Sequence, residues 1–99
     1  MKTYKFAAHI DANNPQEVRE YLQVFFETEG MEGFIDALGH IAKKQGMSKV
    51  ADIAGINRQN LYRALRKGAH PNFMTVNKVV AALGCHLEVI PNSINKDAI

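Results

Sequence analysis

The sequence has a single cysteine, Cys85, and no long apolar segment. One cysteine excludes a disulfide bond within the chain, and without a second one near a histidine pair the usual zinc-site spacings are missing too. No apolar run approaches the roughly 18 residues of a membrane-spanning helix, and the N-terminus lacks the apolar core of a secretory signal peptide. These absences predict a soluble, cytoplasmic protein with no membrane association, no bound metal and no cofactor.

Acidic residues are also missing from a long stretch, positions 53–87. Residues 11–36 carry seven acids against Arg19 alone, whereas residues 43–78 carry eight lysines and arginines against Asp52 alone. A sign asymmetry of this kind indicates either two solvated faces or a polyanion-binding segment beside an acidic one.

The sequence shows no set of catalytic side chains in a recognisable arrangement. The four histidines are scattered, and no nucleophile accompanies an oriented base. We therefore expect no enzymatic activity. The length of 99 residues and the hydrophobic content of 46% suit one domain covering the whole chain.

Helical periodicity and end signals predict a mainly α-helical domain of five helices. The first covers about 15–28, with Asn14 as N-cap, and the second about 31–45, with Gly46 as its stop. Three shorter helices follow, with the sequences "SKVADIAG", "RQNLYRALRK" and "NFMTVNKVVAALG". Ser48 is the expected N-cap of the first of these three and Asn57 of the second.

After Gly84 the period changes to strict alternation, which predicts a short C-terminal strand at about 86–90. A lone strand leaves its edges unpaired, so it needs a partner, either the N-terminal "TYKFAAHI" or the same strand of a second subunit. This strand is therefore the candidate seam of a homodimer. The residues of that seam are His86, Leu87, Glu88, Val89 and Ile90.

Residues from about 48 to 66 have the pattern of a helix-turn-helix. Ala51 lies where two helices would cross, Gly55 suits the turn, and Ile56 would plug the corner. Leu61 and Leu65 supply the buried stripe of the second helix. Its opposite side carries the residue types that hydrogen-bond base edges in the major groove. The candidate base-reading residues are Asn57, Arg58, Gln59, Asn60 and Arg63.

Around this helix are polar and basic residues suited to the phosphates of DNA, which position a protein without reading sequence. The candidate backbone contacts are Ser48, Lys49, Tyr62, Arg66, Lys67 and Thr75.

With these motifs the chain resembles the probable addiction-module antidote proteins, HigA-like antitoxins with a lambda-repressor-type helix-turn-helix. The resemblance covers nearly the whole chain, and its matching elements are "REYLQVFFETE", "GMSKVA", "AGINRQNLYRAL" and "NFMTVNKVVAALG". It implies a five-helix DNA-binding domain, a homodimer on a pseudo-palindromic operator, and repression of an operon shared with a RelE/HigB-like toxin that the protein neutralises.

The toxin-facing surface is expected on the acidic first helix, because nucleases directed at the ribosome are expected to be basic. Its candidate residues are Glu17, Glu20 and Glu27. Two alternatives stay open: a stand-alone phage-like regulator with no toxin, and a protein-interaction module that binds no DNA.

Overall fold

The structure is a computed structural model that describes residues 10–92. These residues form four helices: α1 Pro15–Gln45, α2 Met47–Ala54, α3 Arg58–Leu65 and α4 Phe73–Ala82. The described part of the chain is thus mainly helical, and its architecture is compatible with the predicted all-α helix-turn-helix domain.

Helix α1 begins as the sequence predicts. The Asn14 side chain accepts hydrogen bonds from the backbone N–H groups of Gln16 and Glu17, at 3.0 and 3.4 Å. Pro15 occupies the first helical position, where the missing N–H costs nothing. Gly46 ends the helix, and its N–H donates to the carbonyl of Ala42. The N-cap at Asn14 and the stop at Gly46 are both confirmed.

Helix α1 is not a straight rod, because Gly30 has non-helical backbone angles, φ 72° and ψ −156°. The Tyr21 hydroxyl lies 2.9 Å from Nδ1 of His40. In a straight helix these residues would be roughly 28 Å apart along the axis. The helix therefore folds back at Gly30 into a hairpin with an N-terminal arm, 15–29, and a C-terminal arm, 31–45.

The prediction of five helices is not confirmed as a count: the described residues form four elements, and the first of them consists of two helices that meet at a break. The first two predicted helices, about 15–28 and about 31–45, are joined through Gly30 in one element. Gly30 separates the two predicted helices. It produces a sharp bend, because glycine adopts a positive φ at little cost and the chain can resume the helix at the next residue.

The core draws buried side chains from all four helices. Phe25 and Leu38 contribute from the two arms of α1, Val50 from α2, Leu61 from α3 and Val79 from α4, and none of them is more than 2% exposed. Burial of each side chain contributes roughly 1.5–3 kcal/mol. This shared core holds α3 in one orientation on the rest of the molecule.

One close backbone approach helps to position α3. A methyl group added at Gly39 of α1 would lie 3.2 Å from the carbonyl oxygen of Leu65, the last residue of α3. This distance is tighter than most real contacts, so the small residue lets α1 pack directly against the end of α3.

The predicted C-terminal strand is not present. Residues 86–90 have no regular secondary structure, and no strand occurs anywhere in residues 10–92. An isolated strand has no stable form unless a second strand satisfies its backbone groups. The N-terminal segment considered as that partner lies, apart from Ile10, outside the described residues. None of the helices described here is long and apolar enough to cross a membrane.

Candidate nucleic-acid interface

Helices α2 and α3 are joined by the turn that the sequence predicts. Gly55 ends α2 in the left-handed region, with φ 71° and ψ 35°. The N–H of Ile56 donates to the carbonyl of Ala51 at 2.9 Å, which satisfies one of the free carbonyls at the helix end. Ala51 is buried, and Ile56 packs against the core. The α2–turn–α3 unit is therefore a rigid corner.

Asn57 begins α3. Its side-chain oxygen accepts from the N–H groups of Gln59 and Asn60, at 2.8 and 3.3 Å. The predicted N-cap role of Asn57 is confirmed. Since the oxygen is engaged by the helix, the amide nitrogen is the part of Asn57 left to face a ligand.

The two sides of α3 differ sharply. Leu61 and Leu65 are buried, whereas Gln59 and Arg63 are exposed. Residues four apart lie above one another on a helix, so Gln59 and Arg63 share one outward face. Nη1 of Arg63 donates to Oδ1 of Asn60 at 2.9 Å, which holds the guanidinium along the helix.

Arg58 is also exposed but points toward α2. Its Nη1 donates to the hydroxyl oxygen of Ser48. Ser48 is not the N-cap that the sequence predicted, because the cap position lies two residues earlier, at Gly46, and α2 starts at Met47. A serine inside the first turn is free to orient the arginine. Sequence reasoning missed this pair, which is ten residues apart and brought together only by the packing of α2 on α3.

The start of α2 is open to an anion. Gly46 provides no side-chain cap, so the first N–H groups of the helix have no capping partner there. Lys49 is exposed in the same turn. A helix N-terminus with free N–H groups and a nearby cation attracts negative charge.

The remaining predicted phosphate contacts are spread over two elements. Tyr62, Arg66 and Lys67 are exposed in α3 and immediately after it. Thr75 is half-buried in the first turn of α4, and its N–H is capped by Asn72 at 2.8 Å. The structure therefore places Thr75 on a helix that packs against α2 rather than on the α2–turn–α3 unit.

The basic side chains of this unit are not neutralised by carboxylates. Across residues 10–92, no lysine or arginine forms an ion pair with a carboxylate, and the carboxylates of Asp36 and Glu88 lie near the imidazoles of His40 and His86 instead. Arg58 and Arg63 are thus available to a polyanion, whereas Lys67 lines a cleft that also contains Glu29, Glu32 and Asp36.

The acids predicted to face a partner protein are less uniform. Glu17 is half-buried, and its Oε1 accepts from the N–H of Asp11 at 2.9 Å, so it stabilises the start of α1. Glu20 and Glu27 are exposed, and Oε2 of Glu27 accepts from Nε2 of Gln23 at 3.0 Å.

The candidate dimer seam is exposed throughout. Nε2 of His86 lies 3.5 Å from Oε2 of Glu88, so these two side chains lie on one side of the segment. Val89 and Ile90 are among the exposed large hydrophobic residues.

The Cys85 thiol and the His40 imidazole are candidate reactive groups outside the α2–turn–α3 unit. The thiol of Cys85 donates to the carbonyl of Pro15 at 3.7 Å, and burial raises the pKa of that thiol while the charge of Arg19 opposes the shift. His40 is half-buried between Tyr21 and Asp36. The described residues contain no group of three or more His, Cys, Asp or Glu side chains arranged to hold a metal ion.

Fold and site together define a small, mainly helical protein with a basic, outward-facing helix held on a tight turn. Residues 1–91 match a protein family described as "Probable addiction module antidote protein". A protein of Haemophilus influenzae, itself named only "Uncharacterized protein", is 36% identical over 89 residues, which cover 90% of each chain. The chain therefore belongs to the addiction module antidote family, and this membership implies a toxin as its partner. No solved structure matches the chain.

Proposed function

We propose that this protein is a sequence-specific DNA-binding repressor that serves as the antitoxin of a type II toxin–antitoxin module. In this proposal it neutralises a RelE/HigB-like toxin and represses the operon that encodes both proteins. The DNA-binding part of the proposal rests on the outward face of α3. Gln59 and Arg63 are exposed on that face, while Leu61 anchors the opposite side of the helix in the core.

The side chains on α3 match the hydrogen-bonding groups of the major groove. Arginine can bond O6 and N7 of guanine together, and glutamine or asparagine can bond N6 and N7 of adenine. The proposed base-reading set is Asn57, Arg58, Gln59, Asn60 and Arg63. Ser48 adds a function within this set, because its bond to Arg58 restricts where the guanidinium can reach.

Phosphate contacts would come from the start of α2 and from the basic residues after α3. The start of α2 at Ser48, which has no side-chain cap, and the charge of Lys49 favour one phosphate, and Arg66 and Lys67 favour others. Tyr62 and Thr75 complete the proposed set. These contacts strengthen binding to any DNA, so sequence preference must come from α3.

A homodimer is part of the proposal. One domain of this size makes few base contacts, whereas two recognition helices about 34 Å apart reach successive major grooves of a pseudo-palindromic operator. Residues 86–90 are the proposed seam, because Val89 and Ile90 expose apolar surface that a second copy of the same segment would cover.

The test uses the full chain, the DNA upstream of its operon, and the product of the toxin-like reading frame beside its gene. Fluorescence anisotropy at increasing salt should show tighter binding to the upstream DNA than to random DNA, with affinity falling steeply as salt rises. Sedimentation should show a complex with the toxin. Equal, weak binding to both DNAs would refute the repressor function and leave a protein-interaction module. DNA binding without toxin binding would identify a stand-alone regulator.

A further inference from the structure

The tip of the α1 hairpin carries an apolar patch that the described residues leave uncovered. Phe26 and Met31, on opposite sides of Gly30, are 44% and 58% exposed. Phe34 is half-buried, and its ring meets that of Phe26 edge-on with centroids 6.2 Å apart. Met31 and Phe34 are three residues apart on one arm and so share a face. We call these three residues the tip patch.

The tip patch has an acidic border. Glu27, Glu29 and Glu32 are all exposed beside it. Glu29 and Glu32 also line a cleft with Arg66 and Lys67, which follow α3, so the acidic border ends at that cleft. The ion pairs of the described residues involve none of these three glutamates. An apolar centre with acids on the side away from this cleft, at Glu27, suits a partner surface that carries basic residues there.

The two arms of α1 pack closely at the hairpin tip. A methyl group added at Gly33 would lie 2.4 Å from Cβ of Glu29 and 2.9 Å from the carbonyl oxygen of Phe25, so the arms touch closely there. Gly30 sits in a backbone conformation that favours glycine. A preformed patch loses little conformational entropy on binding, which improves affinity for a given contact area.

We propose that the tip patch is the docking surface for the toxin of the module, and that the toxin meets it with an apolar centre surrounded by basic residues. This inference rests on the proposed function, because it assigns a surface to the toxin partner that the family implies. DNA is a poorer occupant, since the exposed carboxylates beside the tip patch would face phosphates.

A second copy of this chain is a poorer occupant. A two-fold contact between two tip patches would place the same glutamates opposite one another, and like charges across an interface are unfavourable. A contact between the tip of one copy and the basic α3 of another would be head-to-tail, which tends to produce open chains unless the rotation closes. A basic heterologous protein satisfies both the apolar centre and the rim.

The tip patch differs from the acidic surface expected from the sequence. Glu17 contributes to the start of α1, and Glu20 lies about two turns from Glu27 along the N-terminal arm. Of the three predicted acids, Glu27 alone borders the tip patch. The prediction from charge and the present proposal share α1, and the fold-back at Gly30 moves the proposed surface to the far end of the N-terminal arm.

The first test compares two substitutions with the same exposure. Met31 in the tip patch and Ile53 in α2 are each 58% exposed, so Met31→Ser and Ile53→Ser remove similar amounts of exposed apolar surface. Calorimetric titration of the full chain with the purified product of the adjacent toxin-like gene should give binding at least about tenfold weaker for Met31→Ser, and unchanged for Ile53→Ser. Both variants should keep the wild-type melting temperature and operator affinity.

The second test concerns charge. Glu27→Lys should slow association with the toxin and reduce the dependence of that rate on salt, whereas Glu20→Lys should have a much smaller effect. Equal toxin affinity for wild type, Met31→Ser and Glu27→Lys would overturn the docking assignment while leaving the proposed function intact. Failure of the wild-type chain to bind the toxin would instead refute the antitoxin function itself.

Hydrogen exchange on the wild-type complex gives a result that does not depend on any variant folding. Toxin binding should protect backbone N–H groups around residues 26–34. Protection confined to residues 57–67 or to residues 86–90 would overturn the assignment and place the toxin on the proposed DNA face or dimer seam.

Discussion

Replacing Arg63 by alanine should reduce binding to the operator far more than binding to random DNA. One N–H group of the Arg63 guanidinium donates to Asn60, and the other four of its five N–H groups can bond to a base. A lost bidentate contact costs about 1–3 kcal/mol. Because the proposed homodimer would present two such helices, the expected total on the operator is about 2–6 kcal/mol, or roughly 30-fold to more than 10⁴-fold.

Lys67→Ala is the matched control, since it also removes one exposed cation from the same region. If Lys67 contacts a phosphate, its loss weakens binding to all DNA and lowers the slope of log affinity against log salt by about one per protomer. Neither side chain is buried, so each substitution should change the free energy of unfolding by less than about 0.5 kcal/mol.

The assay is anisotropy with labelled operator and scrambled duplexes over a range of salt concentrations. Our reasoning requires Arg63→Ala, and Gln59→Ala with it, to lower the ratio of specific to non-specific affinity, and Lys67→Ala to leave that ratio nearly constant. If all three variants weakened both duplexes equally, the division into reading and phosphate-binding residues would be refuted.

Three further predictions address single features of the structure. A double-mutant cycle of Ser48→Ala and Arg58→Ala on operator affinity should show a coupling of at least about 0.5 kcal/mol, and additive effects would mean that the bond between them has no part in recognition. Gly55→Ala should lower the free energy of unfolding in urea by about 1–2 kcal/mol because of the positive φ, and Gly55→Asn by less; equal stability of all three would contradict the role of that turn. Burial raises the pKa of Cys85, so its alkylation should require higher pH in the folded chain than in urea. Because the thiol binds its proton more tightly in the folded chain, it contributes to the free energy of unfolding at pH values below its unfolded pKa. This contribution is lost as pH rises through the folded pKa, and the loss should be absent in Cys85→Ala.

Local signals in the chain were reliable guides to helix ends. Asn14 and Asn57 cap helices in the structure as expected, and Gly46 and Gly55 end them. Each of these features depends on a few neighbouring residues and on the angles they can adopt, so it can be recognised without knowing the rest of the fold.

Features that need a distant partner were predicted less well. Residues 86–90 alternate like a strand but form none in the described chain, because strand formation depends on a neighbour that local sequence does not specify. Ser48 looked like a helix cap and instead accepts a hydrogen bond from Arg58. Glu17 looked available to a partner and instead accepts from the N–H of Asp11.

The sequence by itself determined that the chain is mainly helical, that one segment is basic and another acidic, and which residues of α3 are polar. Periodicity and charge depend on residues that are close in the chain, so both can be identified without a three-dimensional structure. Only the tertiary structure decided that α1 folds back at Gly30 and that Phe26 meets Phe34 beyond the bend. It also placed Ser48 against Arg58, since contacts between distant residues arise from the packing of whole helices in a common core.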